Sequence, residues 1–186
     1  FTSDNGGLSV EEVPYFAKHT PPTDNGKLRE GKGYVYEGGI REPFIVRWPK
    51  MIKPNQVNHT PVIAQDLFNT FVDVTDAGNQ TNDGVSLVPI FKGEALQQRG
   101  LLWHLPHYSP QHGKPASAYR EGDWKILYFY EDERYELYNL KEDISESHNL
   151  VESNSEKFEE MKQKLDDALK GMNAKFPEPN PNYKGT

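Results

Sequence analysis

Four short stretches between residues 101 and 138 constrain this chain more than anything else in it. They are Leu101-Leu102-Trp103-His104, Ala118-Tyr119-Arg120, Trp124-Lys125-Ile126-Leu127-Tyr128-Phe129-Tyr130 and Tyr135-Glu136-Leu137-Tyr138, all rich in aromatic and aliphatic residues. Gly122-Asp123 and Glu131-Asp132-Glu133 separate the last three and read as hairpin turns. The spacing predicts four antiparallel strands. Further on, Ser153-Asn154-Ser155-Glu156 has the pattern of a capping box. Phe158, Met161, Leu165, Ala168, Leu169 and Met172 then give one apolar helical face that ends near Gly171. This helix should pack on the small sheet, with its Lys/Glu/Asp residues as the solvated outer side. Pro177, Pro179 and Pro181 mark an irregular tail.

The first half reads differently. Phe1-Thr2 looks like the end of a buried strand, and Phe44-Ile45-Val46-Arg47-Trp48 like a short strand ended by Pro49. Residues 8–31, with Pro14, Pro21-Pro22 and Asp24-Asn25-Gly26, read as a surface loop in which His19 faces solvent. Residues 61–77 predict a helix with Thr60 as N-cap, Pro61 at the first position and Gly78 as the stop. Ile63, Leu67, Phe68, Phe71 and Val72 would be its core face. Asp83-Gly84-Val85-Ser86-Leu87-Val88-Pro89 is a turn followed by a short apolar segment. The order strand, loop, strand, helix fits the edge of an α/β sandwich. Polarity rises over residues 95–100, which places a boundary there. The expected division is 1–97, then a small α+β subdomain over 98–176, then a tail over 177–186.

Chemistry concentrates near the N-terminus. Ser3-Asp4-Asn5-Gly6-Gly7 offers a carboxylate beside a neutral carbonyl, hard oxygen donors that suit Ca²⁺ or Mg²⁺. Gly6 and Gly7 would let the backbone take positive φ and pass close to a ligand. The same four residues, Asp-Asn-Gly-Gly, are also ordinary turn chemistry. In Lys32-Gly33-Tyr34-Val35-Tyr36-Glu37-Gly38-Gly39-Ile40-Arg41-Glu42-Pro43, Lys32 could meet an anion as a point charge and Arg41 as a planar fork. The plainer alternative is solvated surface charge for these and for Lys27, Arg29 and Arg47. A second cluster is His104-Leu105-Pro106-His107-Tyr108 with His112. Three histidines could ligate Zn²⁺, although no Cys and no helical His-x-x-x-His supports it.

Phe1-Thr2-Ser3-Asp4-Asn5-Gly6-Gly7, Leu28-Arg29-Glu30-Gly31-Lys32-Gly33 and Tyr36-Glu37-Gly38-Gly39-Ile40-Arg41-Glu42-Pro43-Phe44 together resemble the second half of the sulfatase family. This is the type I, formylglycine-dependent, Ca²⁺-containing branch of the alkaline phosphatase superfamily. The resemblance continues through Asp83-Gly84-Val85-Ser86-Leu87, Arg120-Glu121-Gly122-Asp123-Trp124-Lys125, Glu136-Leu137-Tyr138-Asn139-Leu140 and Ser147-His148-Asn149-Leu150, and so covers essentially the whole chain in order. It implies an alkaline-phosphatase-like α/β edge followed by the small α+β subdomain. It implies Asp4 and Asn5 as two Ca²⁺ ligands, Lys32 as the sulfate-contacting lysine, and Glu37, Gly38, Gly39 and Arg41 as site-shaping residues. It implies a pocket rim drawn in part from the segment holding His104 and His107, with Arg120 a weaker candidate. The family's nucleophile is a formylglycine made within Cys/Ser-x-Pro-x-Arg. This chain has no Cys, and Ser109-Pro110 and the other serines do not fit that pattern. The nucleophile, the paired aspartates of the metal site and further Lys and His residues belong to the family's first half. The resemblance therefore implies a C-terminal portion that is inactive alone, acting on a sulfated small molecule or glycan in the intact protein.

A formal charge of −7 argues against nucleic acid, whose binders present a basic face. No apolar run reaches about 18 residues, so no membrane-spanning helix is expected. The absence of Cys leaves the redox compartment open, and the resemblance alone implies a periplasmic or extracellular location. Two other readings stand beside the sulfatase one. A phosphonate or phosphate ester hydrolase of the same superfamily fits Glu-Gly-Gly-Ile-Arg-Glu-Pro less well. A non-catalytic carbohydrate-binding or interaction module fits the missing nucleophile, but not the ordered run of site-shaping residues. An α/β portion without most of its sheet would also expose apolar strand faces, which self-association could cover.

Overall fold

The computed structural model describes residues 1–10, 21–78 and 82–183. His19 and much of the expected loop around it lie outside the described residues. The described chain forms two compact units, Phe1–Phe44 with Gly100–Thr186, and Ile45–Arg99. Val35 and Tyr36, ahead of the division expected at residues 97 and 98, bury against the sheet of the first unit.

In the first unit, β1 (Gly100–Leu105), β2 (Ala116–Glu121), β3 (Trp124–Phe129) and β4 (Arg134–Asn139) form one antiparallel meander in chain order. Gly122-Asp123 alone joins β2 to β3, and Gly122 takes the left-handed φ of 59° that so tight a hairpin favours. Side chains then alternate between two faces. Ala116, Ala118, Leu127, Phe129 and Tyr138 face one way and bury with Val35, Tyr36 and Leu140. Ile126 and Leu137 face the other way.

That second face is covered by a helix spanning Ser155–Gly171 (α4 in chain order), whose Met161, Leu165 and Leu169 pack on Ile126 and Leu137. Their spacing of four puts them on one stripe, and burying each contributes roughly 1.5–3 kcal/mol. The helix starts one residue later than the capping-box pattern implies. Asn154 is the N-cap and accepts from the Lys157 amide at 3.4 Å, while the Ser153 hydroxyl donates to the Leu150 carbonyl.

The expected strands at 1–2 and 44–48 do not form. Phe1 is 81% exposed, and Thr2 and Phe44 meet only in an isolated antiparallel bridge. A ladder needs a partner strand, and none lies beside these residues among those described. Among the described residues between them, regular structure is limited to a single turn of helix, α1 (Glu37–Ile40).

The second unit corrects the expected helix over 61–77. It spans Gln65–Thr75 (α2) and begins at Ala64 without a side-chain cap. The expected core face holds only in part: Ile63, Leu67 and Val72 are half-buried, but Phe68 and Phe71 are 51% and 62% exposed, while Asp66 and Thr70 are buried. The reason is polar. Asp66 accepts from the amides of Ile63 (2.9 Å) and Val85 (3.0 Å) and pairs with Arg99, and Thr70 Oγ1 accepts from the Leu87 amide at 2.9 Å. Burying these groups ties residues 85–87, just ahead of the single-turn helix α3 (Val88–Phe91), to α2. No described helix is long and apolar enough to cross a membrane.

Candidate functional site

The sequence scatters Asp4-Asn5, Lys32 and Glu37-Gly38-Gly39, and the fold draws them onto one backbone scaffold. The Gly6 amide donates to the Gly39 carbonyl (2.9 Å), the Lys32 amide to the Gly7 carbonyl (3.0 Å), and the Gly38 amide to the Arg29 carbonyl (2.9 Å). A Cβ on Gly6 would collide with the Gly38 carbonyl, and one on Gly38 with the Arg29 and Glu30 carbonyls. Close approach of three backbone segments is therefore what these glycines permit. The expected positive φ at Gly6 and Gly7 is absent.

Asn25, read from the sequence as one residue of a loop turn, is the hub of this scaffold. Its amide nitrogen lies 3.1 Å from the Gly7 carbonyl, 2.9 Å from Ser9 Oγ, 3.0 Å from the Glu30 carbonyl and 3.1 Å from the Gly38 carbonyl. One side chain thus holds the turn after Asp4-Asn5, the segment before Lys32 and the double glycine together. Arg29 is a second residue the sequence did not single out. Its guanidinium lies 3.9 Å from the centre of the Tyr36 ring and donates to Tyr138 Oη (3.1 Å) and the Glu146 carbonyl (2.8 Å). Solvated surface charge does not describe it.

Glu37 opens α1 and is buried. Its carboxylate accepts from Lys125 Nζ (3.0 Å) and Arg120 (3.3 Å) and lies 3.6 Å from half-exposed Arg41. Burial alone would raise this carboxyl, but Lys125, Arg120 and Arg41 together outweigh it and hold it below the usual carboxylate range. Arg41 and Arg120 thus brace Glu37 in this structure.

Asp4 and Lys32 both lie at the surface. The Asp4 carboxyl is lowered by its own backbone amide and the Asn5 side chain, with the Lys32 charge adding to the effect. Glu42 lies near enough that burial and the Asp4 charge push its carboxyl up. An ionised carboxylate next to an amide oxygen fits the donor chemistry of Ca²⁺, but supplies only part of the six to eight oxygens such an ion takes. Among the described residues no three His, Asp or Glu side chains converge to hold a metal. The histidine trio at 104, 107 and 112 is not such a group either.

The two rim histidines are not brought together. Leu102 packs with the α4 cluster, and Trp103 and Leu105 with the opposite one. Alternation therefore sends His104 to the α4 side, away from Lys32 and Glu37. Its Nε2–H donates to the Lys175 carbonyl (2.8 Å), which fixes the tautomer, and Nδ1 lies 2.7 Å from Ser117 Oγ. Tyr130 and Phe176 pack edge-on against the ring. His107 instead is exposed, with Nδ1 3.1 Å from the Tyr108 carbonyl. It belongs to the loop whose Ser109 and Gln111 press on Gly33, the residue after Lys32.

With this geometry in view, comparison with known proteins is direct. Residues 30–175 match the family model described as N-sulphoglucosamine sulphohydrolase, C-terminal. A sulfatase of Formosa agariphila is 37% identical, across 95% of this chain and 31% of its own length. A solved structure in complex with k-i-k-neocarrahexaose is 30% identical, with a TM-score of 0.69 over 90% of this chain and 35% of that one. Another, in complex with its substrate D-glucosamine-2-N,6-O-disulfate, is 27% identical, with a TM-score of 0.68 over 82% of this chain and 32% of that one. The chain spans only about a fifth to a third of the length of the curated relatives it matches.

Proposed function

This chain belongs to the sulfatase family, whose C-terminal portion it carries, and we propose that it serves sulfate-ester hydrolysis in the protein of which it forms part. The observation that carries the reading is the shared scaffold: the Gly6–Gly39 and Lys32–Gly7 hydrogen bonds fold Asp4-Asn5 and Lys32 against one double-glycine turn. In this reading Lys32 binds a sulfate oxygen as a point charge. Asp4 and Asn5 would hold Ca²⁺ together with donors outside this chain. The ion, when bound, adds positive charge where the transferring sulfuryl group is most anionic. Glu37, Gly38, Gly39 and Arg41 shape the turn beneath these groups. No residue here is assigned as nucleophile, since Cys is absent and no serine stands in Ser-x-Pro-x-Arg. That role falls to a formylglycine elsewhere in the protein.

The substrate we propose is a sulfated carbohydrate. Two neighbouring structures hold glucosamine disulfate and a carrageenan-type oligosaccharide, which supports that class. His107, exposed on the loop that abuts Gly33, is the rim residue we assign to substrate contact; His104 is left out because both its nitrogens are engaged internally. The division into catalytic-domain residues 1–97, a small subdomain over 98–176 and a tail over 177–186 is part of the same proposal, as is a periplasmic or extracellular location.

The test compares the whole protein and its Lys32→Ala variant on an aryl sulfate and on sulfated glucosamine. We expect turnover to fall by about 10²–10³-fold, the scale of losing one charge-stabilising group, with the thermal midpoint unchanged. A variant with wild-type turnover would remove Lys32 from the site.

A further inference from the structure

Beneath the double-glycine turn lies a buried cluster of charges in which the proposed function gives a part to Glu37 alone. Lys125, on β3, is wholly buried between two carboxylates: Glu37 Oε1 at 3.0 Å and Glu146 Oε1 at 2.8 Å. The first contact is a hydrogen bond. The second is a close ion pair, equally buried. The other Glu146 oxygen accepts from the Glu37 backbone amide at 2.7 Å. Arg120, on β2, reaches the second Glu37 oxygen at 3.3 Å.

We infer that Lys125, acting with Glu146 and Arg120, is a positioning residue for the sulfate site: from the small sheet it fixes the Glu37 turn against which Asp4, Asn5 and Lys32 are folded. What is being positioned rests on the sulfatase reading above. The geometry is a two-point hold. Lys125 and Arg120 grip the Glu37 side chain, and Glu146 grips its amide, so Glu37 can neither swing nor slide. The next two residues carry that fixity upward. Gly38 donates to the Arg29 carbonyl, Gly39 accepts from Gly6, and Lys32 donates to Gly7. A continuous series of links runs from β3 to the backbone that bears Asp4-Asn5.

Stability alone does not explain the cluster. Two buried carboxylates balanced by two cations must be desolvated, and well-packed apolar residues of similar volume usually serve stability as well or better. The two strand neighbours of Lys125 on the same face and the adjacent strand, Leu127 and Tyr138, show that apolar packing is available there. What charges add is direction: each contact has one geometry. The opposite shifts of the two acids agree with this arrangement. Burial raises the Glu146 carboxyl against the pull of Lys125, while Glu37, with three cations around it, is held low.

The test uses the whole protein with Lys125→Met, Glu146→Gln and, as a control on the opposite face of the sheet, Leu165→Ala. Amide hydrogen exchange is followed at Gly6 and Gly38 and along the β2–β3 ladder, and kcat and KM are measured on an aryl sulfate well below the unfolding temperature. In Lys125→Met we expect the Gly6 and Gly38 amides to speed up at least about tenfold more than the ladder, as a local opening does. We expect kcat to fall about 10²-fold, the scale of small misplacements at a reacting centre, with KM within about threefold. Glu146→Gln should move both readouts the same way by less, and Leu165→Ala should leave the ratio of turn to ladder exchange unchanged. Equal acceleration of turn and ladder in Lys125→Met, or a kcat no lower than that of Leu165→Ala, would overturn the inference. If Lys125→Met does not fold, Glu146→Gln decides by the same exchange ratio. A wild-type protein that hydrolyses no sulfate ester would reject the sulfatase reading instead, and the exchange ratio would still judge the positioning role.

Discussion

The two faces of the β1–β4 sheet are made from opposite materials. Toward α4 the core is apolar and aromatic, with the Lys164–Glu121 ion pair and the His104–Ser117 hydrogen bond beside it: Ile126 and Leu137 bury under Met161, Leu165 and Leu169, and the Tyr128–Tyr135 and Tyr135–Phe158 rings pack at centroid distances of 4.5 and 5.4 Å. Toward the Glu37 turn, apolar contacts from Val35 and Leu127 share the space with buried Lys125, Glu37, Glu136 and Glu146. The same strands supply both faces, residue by alternate residue. Apolar packing is non-directional and tolerant, so the α4 face supplies adhesion. Buried hydrogen-bonded charge is directional and intolerant, so the other face supplies orientation. The site scaffold lies on the face that can aim it.

The largest effect that would sharpen this contrast is at Glu37. Glu37→Gln leaves Lys125 and Arg120 partly uncompensated in a dry setting, a loss of about 4 kcal/mol at neutral pH on the scale of broken buried pairs. Its pH dependence identifies the charge. The folded Glu37 carboxyl lies below the ordinary glutamate value of 4.5. Its contribution is therefore complete above about pH 4.5 and is lost as pH falls through the folded value. The stability gap between wild type and Glu37→Gln should narrow below about pH 4, as followed by chemical denaturation across pH. A gap that stays constant down to acid unfolding would mean that shape, and not charge, holds the turn.

Next in size is Leu165→Ala. Leu165 is fully buried among Ile126, Leu137, Met161 and Leu169, so truncation leaves a cavity and costs about 3 kcal/mol. Here the loss should be indifferent to pH, and a denaturation series over the same range checks it. A pH-dependent loss, matching that of Glu37→Gln, would show that the faces are not independent.

These two faces were unequally legible in the sequence. The strands, their meander order and α4 followed from local signals: short turns, apolar alternation and a stripe with a spacing of four. The Asp4, Lys32 and Glu37 positions could be singled out as candidates because their neighbours form recognisable strings. Lys125, Glu146, Asn25 and Arg29 were not, since each acts on a partner far along the chain. Lys125 did leave one trace. It is a cation at the strand position that alternates with Leu127 and Phe129, so the pleat points it into the core. The helix at Gln65–Thr75 misled in the opposite sense. Its phenylalanines formed the apolar stripe that sequence reasoning trusts, while Asp66 and Thr70 became buried through hydrogen bonds to residues 85 and 87 that no periodicity reveals. Likewise, the strand expected at Phe44–Trp48 has the right composition, but pairing is a property of two segments.

The smallest effect is at His104, and it bears most directly on whether the two faces have separate tasks. The imidazole joins β1 to the chain beyond α4 through the Lys175 carbonyl, with Phe176 and Tyr130 against the ring. Removing it in His104→Ala loses its hydrogen bonds to Lys175, Ser117 and Tyr130 and some packing, about 1 kcal/mol in total. The first consequence should be local: the segment at Lys175–Phe176 loosens, and trypsin should cleave after Lys175 faster than in wild type at a temperature where both proteins are folded. Because the ring lies on the α4 side, KM for an aryl sulfate should stay within about twofold. If KM instead rose tenfold while Lys175 stayed as protected as before, His104 would have to reach a ligand through the sheet's other side. The division between an adhesive face and an aiming face would then fail at β1.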